Sequence, residues 1–199
     1  MTPPDAERLA RQLRFVTEID RLKSVLRQTL LLDASRRENS AEHSWHLALM
    51  ALVLREYAPT GTDLIRVLKM LLLHDVIEIE AGDTFCYDAE ANLDKAARER
   101  AAAARTFGLL PDDLNLELRA LWEEFEAGET PEARFANALD RLQPLLHNFH
   151  TQGGTWRAHN ITRPQVLARM APIEDGAPTL WPFVLGLIDE AYEAGYITA

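Results

Sequence analysis

An almost uninterrupted apolar run, from Leu64 to Leu73, constrains the fold of this chain more than any other segment. On a helix its leucine, isoleucine, valine and methionine side chains would cover nearly every side. We therefore expect a helix from about residue 62 to about residue 80 that lies in the centre of the fold, and Gly82 is the expected stop. A helix buried on most sides needs other helices packed around it.

The composition of the whole chain predicts an all-α fold. Hydrophobic residues make up 47% of the 199 residues, Ala and Leu dominate, and alternating β-branched stretches are scarce. A chain of this length can bury one sizeable core, and its Pro/Gly-rich stretches are too short to separate two domains. We predict a single domain over residues 1–199, with its core at about residues 15–195.

Polar loops and capping residues divide the chain into helices. One or two amphipathic helices are expected over residues 5–32, followed by a polar loop. Asn39 or Ser40 is the expected cap of the next helix, and Thr130 is the expected cap of a later one. Beyond the central helix, the sequence predicts helices over residues 40–57, 89–107, 111–128, 131–149 and 178–196, with a short one near residue 164.

Charge and cysteine content limit the partners of the chain. A formal net charge of −10 argues against nucleic-acid polymers, because repulsion opposes binding to phosphate chains, although a small anion can still be drawn to a local positive site. The single cysteine, Cys86, excludes an intramolecular disulfide and fits a reducing compartment. The N-terminus shows no export signal, and no run approaches the roughly 18 apolar residues of a membrane span. We therefore expect a cytoplasmic protein that does not associate with a membrane.

A polar pair, His74-Asp75, ends the apolar run, with Glu78 three residues on and Asp83 just past Gly82. Burying such a pair among leucines is costly unless something compensates it, and a metal ion is the obvious candidate. On a helix Glu78 stands over the same face as the pair, so the three side chains can converge. One histidine and one aspartate do not complete a metal site, so other helices must supply ligands.

Two further polar residues interrupt helices where a core-facing residue is expected. His43 lies near the start of an otherwise apolar helix, and Asp140 lies inside a segment with an apolar side. These two are the candidates for the missing ligands.

The order of these residues resembles that of the HD-domain metal-dependent phosphohydrolases. The segments Glu42-His43-Ser44 and His74-Asp75-Val76-Ile77-Glu78, followed by Gly82-Asp83, are similar to small HD-domain proteins related to bacterial 5'-deoxynucleotidases. The resemblance covers about residues 15–195. It implies an HD-domain helical bundle whose central buried helix carries the His-Asp doublet.

The resemblance also implies roles for individual residues. The four implied ligands to one divalent metal ion are His43, His74, Asp75 and Asp140, and the ion itself, Mn, Co, Fe, Zn or Mg, cannot be read from the sequence. Glu78 would position or deprotonate the attacking water, and Asp83 would assist proton transfer or hold the substrate sugar.

The implied activity is the hydrolysis of small phosphate monoesters, foremost nucleoside or deoxynucleoside 5'-monophosphates, by a homodimer. The alternatives are a phosphodiesterase or nucleotide alarmone hydrolase of the same fold, and a non-catalytic helical protein that binds a metal or a nucleotide.

The chain departs from the deoxynucleotidases upstream of His43. That family carries an Arg-Trp pair that contacts the phosphate and the sugar, whereas Gln28-Thr29 stand at the equivalent positions here, with Arg27 one residue away. A phosphate monoester needs a cationic partner in an acidic protein. Arg27 could substitute, and the candidates for substrate binding are Arg36, Arg37 and Lys69, although Arg36 and Arg37 also fit a solvated loop without function.

Three more histidines leave alternatives open. His46 fits a group behind the metal ligands, a spare ligand or ordinary packing. His147 and His150 follow Asp140 on the same predicted helix, where they fit either a second metal site or ordinary histidines of a helix kinked at Pro144.

Overall fold

The computed structural model describes residues 6–88 and 90–199, which form eleven α-helices and one two-stranded sheet. The first half contains α1 (Ala6–Glu18), β1 (Leu26–Leu30), β2 (Arg37–Asn39), α2 (Ser40–Val53), α3 (Leu64–Leu73) and α4 (Glu78–Ala81). The second half contains α5 (Lys95–Phe107), α6 (Asp112–Ala127), α7 (Pro131–His150), α8 (Gly154–Ala158), α9 (Arg163–Met170), α10 (Pro172–Gly176) and α11 (Trp181–Glu193). Short 3-10 helices cover Ile19–Ser24, Arg55–Tyr57 and Pro178–Leu180. The predicted all-α class is confirmed.

Side-chain caps fix the starts of the helices that carry the site. Asn39 caps α2, because its side-chain oxygen accepts a hydrogen bond from the backbone N–H of Glu42 at 2.9 Å and Glu42 accepts one in return. Asp63 caps α3 in the same way through the backbone N–H of Ile65. Thr130 caps α7, as predicted, with Pro131 at the first helical position.

The long helix α7, rather than α3, is the central element of the bundle. It packs against α2, α3, α6 and α10, and its buried side chains include Phe135 and Leu139. Helix α3 buries one face against the same core, but Ile65 and Leu72 are 63% and 52% exposed. The prediction of a helix buried on nearly every side is therefore wrong for α3, which has an outer face.

Helix α3 also ends earlier than predicted. Helix α3 stops at Leu73, residues 74–77 form a turn, and α4 begins at Glu78. Backbone hydrogen bonds in this turn span three residues, for example from Glu78 N to Asp75 O at 2.9 Å. The turn connects two hydrophobic clusters, since Leu71 belongs to the larger one and Val76 and Ile77 belong to the smaller one. His74 and Asp75 therefore lie where the two clusters meet.

The sheet corrects the prediction for residues 25–39. Leu26 pairs with Asn39 and Leu30 pairs with Arg37 in an antiparallel hairpin, where helix up to residue 32 and then a loop were expected. The apolar residues of this segment do have helical spacing, but pairing with β2 supplies the backbone hydrogen bonds instead. The hairpin continues directly into α2. The N–H of Ser40, the first residue of α2, donates to the carbonyl oxygen of Val25 just before β1.

Other boundaries shift by smaller amounts. Helix α5 begins at Lys95 rather than at Ala89, which lies outside the described residues. Helix α2 ends at Val53, and α7 continues through Pro144 to His150. Among the described residues, none of the helices combines the length and apolar character needed to cross a membrane.

Candidate functional site

Three predicted metal ligands meet in the interior of the bundle. His43 projects from the first turns of α2, His74 lies in the turn after α3, and Asp140 lies in the middle of α7. One ligand atom from each residue lies within 4.8 Å of the other two. His43 Nε2 is 2.9 Å from Asp140 Oδ1, and His74 Nε2 is 3.7 Å from the same oxygen. Three elements that are distant in sequence thus supply two imidazoles and a carboxylate to one buried point.

Asp75 borders this group from the side of the turn. Its Oδ1 is 3.1 Å from His74 Nε2, and its Oδ2 accepts a hydrogen bond from Arg27 Nη1 at 2.8 Å. Asp75 thus faces the histidine with one oxygen and an arginine with the other. Its place as the fourth ligand stays a prediction.

The environment of His74 fits a metal ligand. The Nδ1–H of His74 donates to the carbonyl oxygen of Leu71 at 2.9 Å, which turns Nε2 towards the group. That Nε2 is buried and makes no hydrogen bond to the described residues. Burial acts to lower the pKa of His74, but Asp75 and Asp140 outweigh it and raise the pKa to about 9. This nitrogen lies 3.1 Å from Asp75 Oδ1 and 3.7 Å from Asp140 Oδ1, and together with the second imidazole these groups are a donor set that suits a divalent cation.

Glu78 and Asp83 stand beside the same group. Glu78 is buried at the start of α4, where Ser40 Oγ donates to its Oε2 at 2.7 Å. Burial, followed by the charge of Asp75, raises the pKa of Glu78 well above its ordinary value. Asp83 follows Gly82, whose φ of 74° lies in the left-handed region that favours glycine. Burial also raises the pKa of Asp83, against the opposing effect of Arg27.

Arg27 is the cation that the hairpin brings into this acidic group. Its guanidinium is 2.8 Å from Asp75 Oδ2, 3.9 Å from Asp83 Oδ1 and 3.8 Å from Glu38 Oε2. Its Nε is buried and makes no hydrogen bond among the described residues. Arg27 was expected only as a possible substitute for the arginine of the deoxynucleotidases, because it lies one residue away from the equivalent position. On β1 it lies at the wall of the site, and Gln28 and Thr29 line the same cavity.

The structure does not bring the three predicted substrate-binding cations to the cavity. Arg36 is exposed and pairs with Glu42 at 2.6 Å, and Arg37 is exposed on β2. Lys69 is exposed and pairs with Glu117 at 3.0 Å. Its position five residues before His74 places it about 140° around the helix axis from the histidine, which explains why it points away.

Two arginines that the sequence analysis did not propose line the cavity instead. The cavity measures about 180 Å³, and Arg141 and Arg169 form part of its wall with Tyr87 and Trp156. Arg141 Nη1 pairs with Asp140 Oδ2, and its Nη2 donates to Asn137 Oδ1 at 3.3 Å. Burial lowers the pKa of Arg141 against the opposing charge of Asp140, and the charge of Arg169 adds to the lowering. The sequence places Arg141 beside a candidate ligand, but Arg169 on α9 reaches the cavity only through the tertiary fold.

A second group of ionisable residues lies behind His43. Glu38, His46 and His147 each offer a ligand atom, and these atoms also lie within 4.8 Å of one another. Gln143 of α7 stands between this group and His43. The predicted alternative of a second metal site at His147 is thus placed with Glu38 and His46, and His150 is not part of this group.

Comparisons with known proteins agree with this geometry. A family model described as HD domain matches residues 19–181. A crystal structure of a predicted metal-dependent phosphohydrolase from Magnetospirillum magnetotacticum MS-1 is 56% identical, with a TM-score of 0.94 over 100% of both chains. A conserved hypothetical protein from Pyrococcus furiosus, 21% identical, has a TM-score of 0.62 over 90% of this chain and 98% of its own, which shows the fold alone.

Curated relatives carry the name 5'-deoxynucleotidase HDDC2. The protein from Mus musculus is 33% identical over 135 residues, which cover 67% of this chain and 66% of that protein. The protein from Homo sapiens is 32% identical over 67% of this chain and 65% of that protein. The chain thus matches just under two thirds of the length of these relatives. The comparisons support the predicted class of metal-dependent phosphohydrolase, and the chain belongs to the HD-domain family.

Proposed function

We propose that this chain hydrolyses small phosphate monoesters in a metal-dependent reaction, with nucleoside or deoxynucleoside 5'-monophosphates as the leading substrates. One observation carries the proposal: the buried group of His43, His74 and Asp140 leaves His74 Nε2 without a hydrogen bond, directly beside a cation-lined cavity. The names of the relatives agree with it, since they are called 5'-deoxynucleotidases.

The metal would be held by His43, His74, Asp75 and Asp140. A divalent ion bound there would supply a Lewis acid for the phosphate and lower the pKa of a bound water. The ion is Mn, Co, Fe, Zn or Mg, because two nitrogens and two carboxylate oxygens accept all five.

Arg27 would bind the substrate phosphate. Its guanidinium lies at the cavity wall and already bridges carboxylates of Asp75 and Asp83, so it can turn one donor towards an incoming oxygen. A phosphate monoester carries close to two negative charges at neutral pH, and the surrounding carboxylates would repel it without such a cation. Arg27 thereby takes the role that the deoxynucleotidase arginine has in the family that the sequence resembles.

Glu78 and Asp83 would handle protons on either side of the reaction. Ser40 holds the Glu78 carboxyl in one orientation, so its free oxygen can position the attacking water and accept a proton from it. Asp83 would hold the substrate sugar or return a proton to the oxygen of the released nucleoside. Burial raises the pKa of both groups above that of an ordinary carboxyl, which suits groups that exchange protons.

The remaining cavity wall would hold the nucleoside. Tyr87 and Trp156 offer aromatic surface, and Arg169 and Asn148 offer donors to a base or a hydroxyl group. Gln28 and Thr29 line the cavity at the positions where the deoxynucleotidases keep Arg-Trp. We propose that these two residues contribute to sugar selection.

A phosphate-release screen tests the proposal. Metal-free protein would be incubated with each nucleoside and deoxynucleoside 5'-monophosphate and each of the five metals. We expect release with at least one pair, and its loss in Asp75→Ala with reduced metal content. Lys69→Ala, which removes an exposed cation far from the cavity, is the matched control and keeps full activity. No release from any substrate with any metal would refute the enzyme proposal.

We further propose a cytoplasmic homodimer. Helix α2 exposes Trp45, Leu49, Leu52 and Val53, a stripe of apolar residues along one face, and a second copy of the chain could cover it. Light scattering after gel filtration would give a molar mass twice that of the chain for the wild type. For Val53→Glu it would give the mass of a single chain. A monomeric wild type would refute the dimer.

A further inference from the structure

The second group of two histidines and one carboxylate, Glu38, His46 and His147, already contains a polar atom at its centre. Gln143 Nε2 is 2.7 Å from Glu38 Oε1, 3.1 Å from His147 Nε2 and 3.4 Å from His46 Nδ1. A metal ion bound by these three residues would have to occupy the position of this amide nitrogen. The group is therefore better described by the hydrogen bonds of Gln143 than by metal ligation.

The donors and acceptors around Gln143 fix the orientation of its amide. Gln143 Nε2 donates to Glu38 Oε1 at 2.7 Å, and a flipped amide would instead bring its own oxygen to 2.7 Å from this carboxylate oxygen.

His147 supports the same orientation from the other side. Its Nδ1 is 2.8 Å from the carbonyl oxygen of Leu30, which can only accept, so Nδ1 carries the proton. Its Nε2 is then free to accept the second N–H of Gln143. Both amide protons thus have a buried acceptor, and His46, which is partly exposed, is the most distant of the three neighbours.

With Nε2 fixed, the carbonyl oxygen of Gln143 must face His43. Gln143 Oε1 is 3.2 Å from His43 Nδ1 and Glu38 Oε2 is 3.5 Å from it, so this nitrogen donates its N–H on this side, with the amide oxygen as the nearer acceptor. The other nitrogen, His43 Nε2, then points to Asp140 and to the group that would hold the metal. The Nδ1 of His74 donates to a backbone carbonyl, whereas the Nδ1 of His43 faces side-chain oxygens, of which that of Gln143 is the nearer.

We propose that Gln143 is a positioning residue, which Glu38 and His147 orient so that it holds the ring of His43 with Nε2 towards the metal. This inference rests on the role of His43 in the proposed function. It assigns no metal to the second group.

The test measures zinc binding and the state of the His43 ring, without recourse to activity. In zinc-loaded wild type, long-range proton–nitrogen NMR should show His43 protonated at Nδ1 and zinc-bound at Nε2. Gln143→Met keeps the length of the side chain but removes the acceptor and the donors. We expect a loss of zinc affinity of about 10–100-fold by chelator competition, with a changed His43 Nδ1 signal.

An exchange of the two partners separates positioning from a general packing role. Gln143→Glu places two carboxylates together and should weaken zinc binding, whereas the double variant Glu38→Gln/Gln143→Glu again pairs one amide with one carboxylate and should recover most of the affinity. His46→Gln is the matched control and should bind zinc as the wild type does. If Gln143→Met fails to fold, this exchange still distinguishes a positioning role of Gln143 from a packing role.

Three outcomes would overturn the inference. These are wild-type zinc affinity with an unchanged His43 signal in folded Gln143→Met, no recovery in the double variant, and a second equivalent of zinc that His147→Gln removes. A wild type that binds zinc through His43 but releases no phosphate would refute the proposed function and leave the positioning role intact.

Discussion

The two buried groups in this bundle have the same composition and different chemistry. Each contains two histidines and one carboxylate, and in each the ligand atoms lie within 4.8 Å of one another. In the first group, His74 Nε2 has no hydrogen bond to any residue that the structure describes, whereas in the second the Gln143 amide already donates to the carboxylate and to a histidine. We infer from this difference that residue types and spacing alone do not define a metal site. What matters is whether the donors and acceptors already satisfy each other.

The largest expected effect comes from removing a ligand of the first group. Asp140→Asn keeps the size of the side chain but removes the charge that His43 and His74 share. A metal contributes several kcal/mol to phosphate hydrolysis, so we expect phosphate release to fall on the order of 10³-fold. Metal analysis by plasma emission should show loss of bound metal. Full metal content in this variant would contradict the ligand assignment.

Loss of the hairpin cation should have the next largest effect on turnover. Arg27→Ala removes the guanidinium that faces Asp75 and Asp83 at the cavity wall. Because charge-assisted contacts to a phosphate are strong, we expect kcat/KM to fall about 100-fold. Steady-state kinetics would measure it, with Lys69→Ala as the unaffected comparison. An unchanged kcat/KM in Arg27→Ala would show that the phosphate binds elsewhere.

Metal addition should stabilise the protein through the first group alone. A metal at 100 times its Kd adds about 2.7 kcal/mol to the free energy of unfolding. Urea unfolding with and without zinc should show this gain in the wild type and in His147→Gln, and no gain in His74→Ala. If His147→Gln lost the gain and His74→Ala kept it, the two groups would have exchanged roles.

Removal of the Gln143 amide should destabilise the metal-free protein. In Gln143→Leu the buried Glu38 carboxylate and His147 Nε2 lose their donor. An unsatisfied buried polar group costs about 1–3 kcal/mol, which should appear as a lower free energy of unfolding of the metal-free protein. Stability equal to that of the wild type would indicate that other groups satisfy Glu38.

The smallest effect is expected at His46, which is partly exposed and 3.4 Å from the Gln143 amide. His46→Gln should change the free energy of unfolding by no more than about 0.5 kcal/mol, as for surface substitutions. The same urea titration measures it. A loss as large as that of Gln143→Leu would make His46 a principal acceptor of the amide.

The first group could be proposed from the sequence because its members interrupt apolar helices. His43 and Asp140 stand where core residues are expected, and His74-Asp75 ends a leucine run. The cost of burying these polar side chains could therefore be inferred from the sequence. The exposed face of α3 was not predicted, because apolar side chains such as Ile65 and Leu72 lie on it as well as on the buried face.

The cations and the second group were harder to predict because tertiary pairing decides them. Arg27 lies in a segment with helical spacing that pairs as a strand, and Arg169 reaches the cavity from a helix far along the chain. Gln143 stands three residues after Asp140, which places both on one face of α7. That spacing was visible, but the buried Glu38 that orients the amide comes from the hairpin, which the sequence analysis read as helix and loop.

The most direct test of these assignments is the number of metal ions bound per chain. Metal-free wild type, His74→Ala and His147→Gln would each be titrated with zinc, and the bound metal would be counted after removal of the excess. We predict one ion in the wild type, one in His147→Gln and none in His74→Ala. Two ions in the wild type with one in His147→Gln, or one ion retained in His74→Ala, would contradict the distinction between the two groups.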